Sequence, residues 1–111
     1  MTIEEIILNY LEDQLEVSCF LMRPEEEPEK YVLFEKTGGS EDNYIMTSTF
    51  AFQSIAKTLA EASELNDQVI AAVKSLVTLD KISKARYVTD YNFTNTATKQ
   101  PRYQAVFDII Y

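Results

Sequence analysis

The stretch Tyr44-Ile-Met-Thr-Ser-Thr-Phe-Ala-Phe-Gln53 decides the fold. Its side chains alternate with a period of two, which is the spacing of a β-strand. Tyr44, Met46, Ser48, Phe50 and Phe52 fall on one face, and Ile45, Thr47, Thr49, Ala51 and Gln53 fall on the other. One face is aromatic; the other is β-branched or small. Neither suits bare solvent, so both are expected to meet protein, one of them across an interface.

Toward the N-terminus, Tyr31–Lys36 (YVLFEK) is a second β-prone run. The segment Thr37–Asn43 that joins it to the first is rich in Gly, Ser, Asp and Asn, and is expected to be a mobile turn. Arg23–Lys30 (RPEEEPEK) is expected to be a charged, proline-bracketed loop with nothing to pack. Val17–Met22 is a short apolar strand that Pro24 stops. Before it, Thr2 and Glu5 form a capping box. Ile3, Ile6, Ile7, Tyr10, Leu11 and Leu15 then recur at helical spacing, predicting a helix from about Thr2 to Leu15.

Toward the C-terminus, Thr58 and Glu61 form a second capping box. It opens a longer helix whose stripe is Leu59, Ala62, Leu65, Val69, Ala72, Val73, Leu76 and Val77. A strand over Ile82–Asp90 follows, with Lys84, Arg86 and Val88 on one side and Ala85, Tyr87 and Thr89 on the other. Tyr91–Gln100 (YNFTNTATKQ) reads as a polar loop or a loose hairpin connection. Arg102–Tyr111 alternates again, and Phe107, Ile109 and Tyr111 are expected to be held within the sheet. The order is α-β-β-β-α-β-β. It predicts one α+β domain over residues 1–111, an antiparallel or mixed sheet of about five strands with two helices packed on one face.

Composition narrows the chemistry. Among 111 residues there is no His, one Cys, two Gly and three Pro. Ser-His-Asp and Cys-His catalysis need a residue this chain lacks. One Cys cannot build a CxxC site, and two Gly cannot build a dinucleotide fingerprint or a P-loop. Cys19 lies in an apolar run and is expected to be a buried small hydrophobe. The Glu25-Glu26-Glu27 run offers oxygen ligands, but adjacent residues of a loop do not converge on a cation. Glu35 and Asp108 lie on predicted strands with nothing to pair them as a glycosidase dyad. No catalytic, metal or cofactor site is therefore expected.

The charge is uneven. Residues 1–30 carry nine acids and two bases, whereas residues 31–111 carry nine acids and eight bases. An acidic surface repels phosphates, which argues against sequence-independent nucleic-acid binding. The start of the chain has no basic n-region or apolar h-region, and no run reaches the roughly 18 apolar residues of a membrane span. The protein is expected to be made in the cytoplasm and to work through its surfaces.

Three stretches carry a family resemblance: Tyr31-Val-Leu-Phe-Glu-Lys-Thr-Gly-Gly-Ser-Glu-Asp-Asn-Tyr44, Glu61-Ala-Ser-Glu-Leu-Asn66, and Asp90-Tyr-Asn-Phe-Thr-Asn-Thr96 followed by Arg102–Tyr111. Together with the element order, they resemble the tail-completion, or tail-terminator, proteins of siphophages and of prophages of Gram-positive bacteria. Head–tail connectors and minor capsid proteins of the same gene clusters are similar in size and are the alternative. The resemblance implies a structural virion protein, a ring that is typically a hexamer and caps the head-proximal end of the tail tube. Its partners would be other copies of itself, the major tail tube protein and a neck or head-completion protein. DNA would pass through the lumen without specific binding. The isolated chain would be monomeric at low concentration. The candidate assembly surfaces are Glu25, Glu26, Glu27, Gly38, Gly39, Glu41, Asp42, Tyr91 and Phe93.

Overall fold

The computed structural model describes residues 1–111 as α1 (Ile3–Gln14), β1 (Ser18–Phe20), β2 (Tyr31–Asp42), β3 (Ile45–Ile55), α2 (Leu59–Lys74), a 3₁₀ turn (Ser75–Thr78), β4 (Lys84–Asn92) and β5 (Arg102–Ile110). The five strands form one mixed sheet in the order β1-β2-β3-β5-β4. β1 runs parallel to β2, and every other pairing is antiparallel. The α+β architecture follows the predicted order element by element.

The helices start where their caps allow. Thr2 and Glu5 make the full reciprocal box, and the Glu5 carboxyl sits below its usual range because Thr2 donates to it through backbone and side chain. At α2 only half of the expected box forms: the Thr58 hydroxyl accepts from the Glu61 amide, with no return bond. Leu59 and Val77, assigned to the apolar stripe of α2, are exposed instead. Leu59 occupies the first turn, and Val77 lies in the 3₁₀ turn, whose three-residue period rotates it off the stripe while keeping Leu76 buried.

Ile7, Leu11, Leu65, Val69 and Val73 pack with Phe34, Phe50, Phe52, Phe107 and Ile109 in one core beneath both helices. Phe52 sits at its centre, stacked on Phe34 at 5.3 Å between ring centroids and edge-on to Phe107 at 6.0 Å. Cys19 is buried here as expected, and burial, with a smaller contribution from Glu12, pushes its thiol up to about 12.

The strand boundaries moved in four places. The expected turn over Thr37–Asn43 is strand as far as Asp42; the chain reverses in two residues, Asn43 and Tyr44, at φ 51° and 67°. Positive φ at both central positions is the type I′ hairpin turn, for which Asn is a preferred first residue. Gly38 and Gly39 were mistaken for turn residues: neither has positive φ, and Thr37 beside them is a bulge. Second, Tyr44 belongs to the turn and not to the strand face. Third, β1 keeps only three of the expected six residues. Fourth, β4 begins at Lys84 and takes in Tyr91 and Asn92, which were assigned to the following loop. A bulge at Val88 also breaks its alternation, so Tyr87 pairs with Phe107 on the helix side while Thr89 pairs with Val106 on the opposite side.

The loop Arg23–Lys30 is anchored, contrary to expectation. Arg23 pairs with Glu27, Lys57 pairs with Glu29 at 2.8 Å, and the buried Tyr31 donates its hydroxyl to Glu27 at 3.0 Å.

Candidate assembly surface

Both helices cover the same face of the sheet; on the other, the segment after β1 covers the end at Tyr31 and Ile55, and no helix covers the rest. Strand register sets the uncovered face in rows: Leu33, Gln53, Gln104 and Tyr91; then Glu35, Ala51, Val106 and Thr89; then Gly38, Thr49, Asp108 and Arg86; then Ser40, Thr47, Ile110 and Lys84. Two of these rows are bonded across strands. Thr49 donates to Asp108 at 2.7 Å, and Arg86 pairs with the same carboxylate from the other side. Gln53 donates to Gln104 at 3.2 Å, and Gln104 donates to the Tyr91 hydroxyl at 2.5 Å. Arg102 reaches Gln53 at 2.9 Å. The Arg86 guanidinium, followed by the Thr49 hydroxyl, holds the Asp108 carboxyl below its usual range. Polar side chains are thus tied to each other across strands over this face.

The distal part of the β2–β3 hairpin projects from this body. β3 pairs with β5 from Thr47 onward, and the Met46 carbonyl accepts from the Tyr111 amide at 3.1 Å, so Asp42–Ile45 extends past the rest of the sheet, and the molecule measures 43 Å along its longest axis against 25 and 24 Å across. At the tip Tyr44 is 95% exposed, with Ile45 and Met46 exposed beside it. A bulky residue in the left-handed region is strained by about 1–2 kcal/mol, and Gly is the usual second residue of this turn. Tyr44 thus combines a strained backbone with an aromatic side chain bare to solvent.

The sheet also has two free edges. β1 covers β2 only at Tyr31–Leu33, so Phe34–Asp42 has one edge unpaired. β4 is the last strand on the other side, and its outer edge is unpaired throughout. Tyr87, Val88, Tyr91 and Phe93 are exposed along it. Such edges are templates for another chain.

The candidate residues fall into three places and do not converge. Gly38, Gly39, Glu41 and Asp42 line the exposed part of β2. Tyr91 and Phe93 lie at the diagonally opposite corner, edge-to-face at 5.9 Å, with Tyr91 also bonded to Gln104. Glu25 and Glu26 are exposed on the loop after β1, whereas Glu27 is engaged by Arg23 and Tyr31, which keep its carboxyl below the usual range. Tyr44, Ile45, Met46 and Lys84 were missed. The signal for the first three was Asn43, a residue tolerant of positive φ between two alternating runs. Nothing local marks Lys84, because strand order sets its place.

No family model matches this sequence, and no curated protein matches it at a significant level. No helix is long and apolar enough to cross a membrane.

Proposed function

We propose that this chain is a structural phage protein that assembles as a ring on the head-proximal end of the tail tube, stops tube growth and joins the tail to the head. The observation that carries the proposal is the coexistence of two different unpaired sheet edges and a projecting hairpin with an apolar tip. A cyclic head-to-tail assembly needs two unlike, complementary patches on each subunit, and a two-fold dimer needs only one patch that matches itself. The free edges supply two unlike patches. The tip, with Tyr44, Ile45 and Met46, supplies a third contact that would face the tube or the neck. The bonded residues Thr49, Gln53, Gln104 and Asp108 would give the ring a polar wall. The acids at Glu25 and Glu26 would repel a phosphate backbone wherever they meet the lumen. The ring's place would be in the virion tail, after assembly in the bacterial cytoplasm.

Electron microscopy of particles made after deletion of the gene tests this role. Headless tails of uncontrolled length are expected. Free tails of normal length would instead favour a head–tail connector of the same gene cluster.

A further inference from the structure

We propose that neighbouring copies of this chain join edge to edge, with β4 of one copy pairing antiparallel with the distal half of β2 of the next, so that one sheet continues through the assembly. The inference deepens the ring reading and rests on its premise that copies of the chain associate. Both edges are unpaired within the subunit: Phe34–Asp42 on one side and Lys84–Asn92 on the other. Strand direction then fixes the pairing. β2 is antiparallel to β3, β3 to β5 and β5 to β4, so the two edge strands run in opposite senses within one copy. A rotation that carries one copy to the next keeps the sense of each strand along the ring axis. Placing β4 beside the next copy's β2 therefore makes an antiparallel ladder without inverting either subunit.

Charge selects this contact over its two-fold alternatives. The free part of β2 carries Glu35, Glu41 and Asp42 against Lys36, whereas β4 carries Lys84 and Arg86 against Asp90. Within the chain, the ion pairs are Arg23 with Glu27, Lys57 with Glu29 and Arg86 with Asp108, so Glu35, Glu41, Asp42 and Lys84 are all without a partner. Register puts Lys84 at the level of Ser40, one and two residues from Glu41 and Asp42. If the sheet continues at that level, Lys84 reaches the neighbour's Asp42 on the same face. Two copies of β2 would oppose acid to acid, which is unfavourable for directly facing strands. Two copies of β4 would leave Lys84 only Asp90, which already accepts from Asn66 at 2.8 Å and from Tyr87. Proteins commonly protect free edges with charge. Here the two edges carry opposite signs, which deters self-pairing and admits the unlike edge. Gly38 fits the same picture. It does not need the left-handed region, and a Cβ there would meet nothing within 4 Å, so the subunit itself does not call for a glycine, whereas a Cβ on Gly39 would meet the Lys36 side chain at 3.3 Å. Glycine within a strand often marks where another backbone comes close.

Disulfide trapping tests the contact. Lys84→Cys is combined in turn with Gly38→Cys, Ser40→Cys and Asp42→Cys, all on the same sheet face. The native Cys19 is buried and stays out of the reaction. Under mild oxidation at the highest soluble concentration, at least one double variant is expected to give a ladder of covalent oligomers that reducing agent collapses, while each single variant stays monomeric on the gel. In parallel, Lys84→Asp should raise the concentration needed for association, Asp42→Lys should do the same, and the two together should restore it. Dimers from Lys84→Cys alone would overturn the proposal in favour of a two-fold β4 contact. Rings visible by microscopy with no ladder from any double variant would overturn the edge pairing and leave the ring reading standing. No association by sedimentation would overturn both.

Discussion

Phe107→Ala probes the point where sheet and helices share one core. Phe107 is fully buried, edge-on to Phe52 at 6.0 Å and to Tyr87 at 5.7 Å, and paired in register with Phe50. Truncating a buried Phe costs about 3–5 kcal/mol, because the transfer energy is lost and the cavity collapses only in part. The upper half of that range is expected, since two aromatic edges lose their shared partner as well, each worth about 0.5–1.5 kcal/mol. Unfolding entropy of about 2.1 cal/mol/K per residue makes 1 kcal/mol worth about 4 °C in a chain of this length. Phe107→Ala should therefore lower Tm by about 15–20 °C. Differential scanning calorimetry of parent and variant measures it, with the exposed Phe93→Ala as a control expected within about 2 °C, as for surface substitutions generally. A Phe107→Ala shift no larger than the control's would refute this packing and the placement of β5 inside the sheet, between β3 and β4.

Three further outcomes follow from the same geometry. Tyr44→Gly should leave the fold as stable or more stable by about 1 kcal/mol, since it removes left-handed strain, and leave self-association unchanged, yet weaken attachment to the tail tube or neck; unchanged co-sedimentation with tails would show that the tip is not a contact. Asp108→Asn should destabilise at neutral pH: the native carboxyl is held below its unfolded value, so its contribution is present above about pH 4 and lost as pH falls through the native value. The stability gap between parent and Asp108→Asn should thus close on acidification, and urea melts showing a gap constant with pH would contradict the Arg86 and Thr49 pairing. Deleting Ile109–Tyr111 should remove the buried Ile109 and the hydrogen bond between the Tyr111 and Ser48 hydroxyls at 3.0 Å, and so compromise folding or assembly; a melt within a degree or two of the parent, with assembly intact, would make that end of β5 peripheral.

The elements were legible wherever periodicity was long and unbroken. α1 showed itself through the Thr2 box and an Ile/Leu stripe, and β5 through its alternation up to Ile110. What defeated local reading was backbone irregularity. The bulges at Thr37 and Val88 shift the alternation by one residue, and only pairing with β3 and β5 shows where. Gly38-Gly39 looked like a turn because sequence alone cannot separate a glycine chosen for positive φ from one chosen for the absence of a side chain. The loop Arg23–Lys30 looked unanchored because Lys57, which pairs with Glu29, lies more than twenty residues away in the chain. The edges, finally, are a property of strand order. Nothing near Lys84 or Asp42 in the sequence says that each borders an unpaired edge, within two residues of the same level and at opposite edges of the sheet.

Sedimentation velocity of the purified chain over a wide concentration range tests most directly whether this protein builds rings. Head-to-tail association through unlike edges predicts a monomer at low concentration that gives way, as concentration rises, to a single larger species of closed stoichiometry, about six copies, with no stable dimer between them. A stable dimer as the sole species at every concentration would contradict the account, because a two-fold contact consumes the surface from which a ring is made.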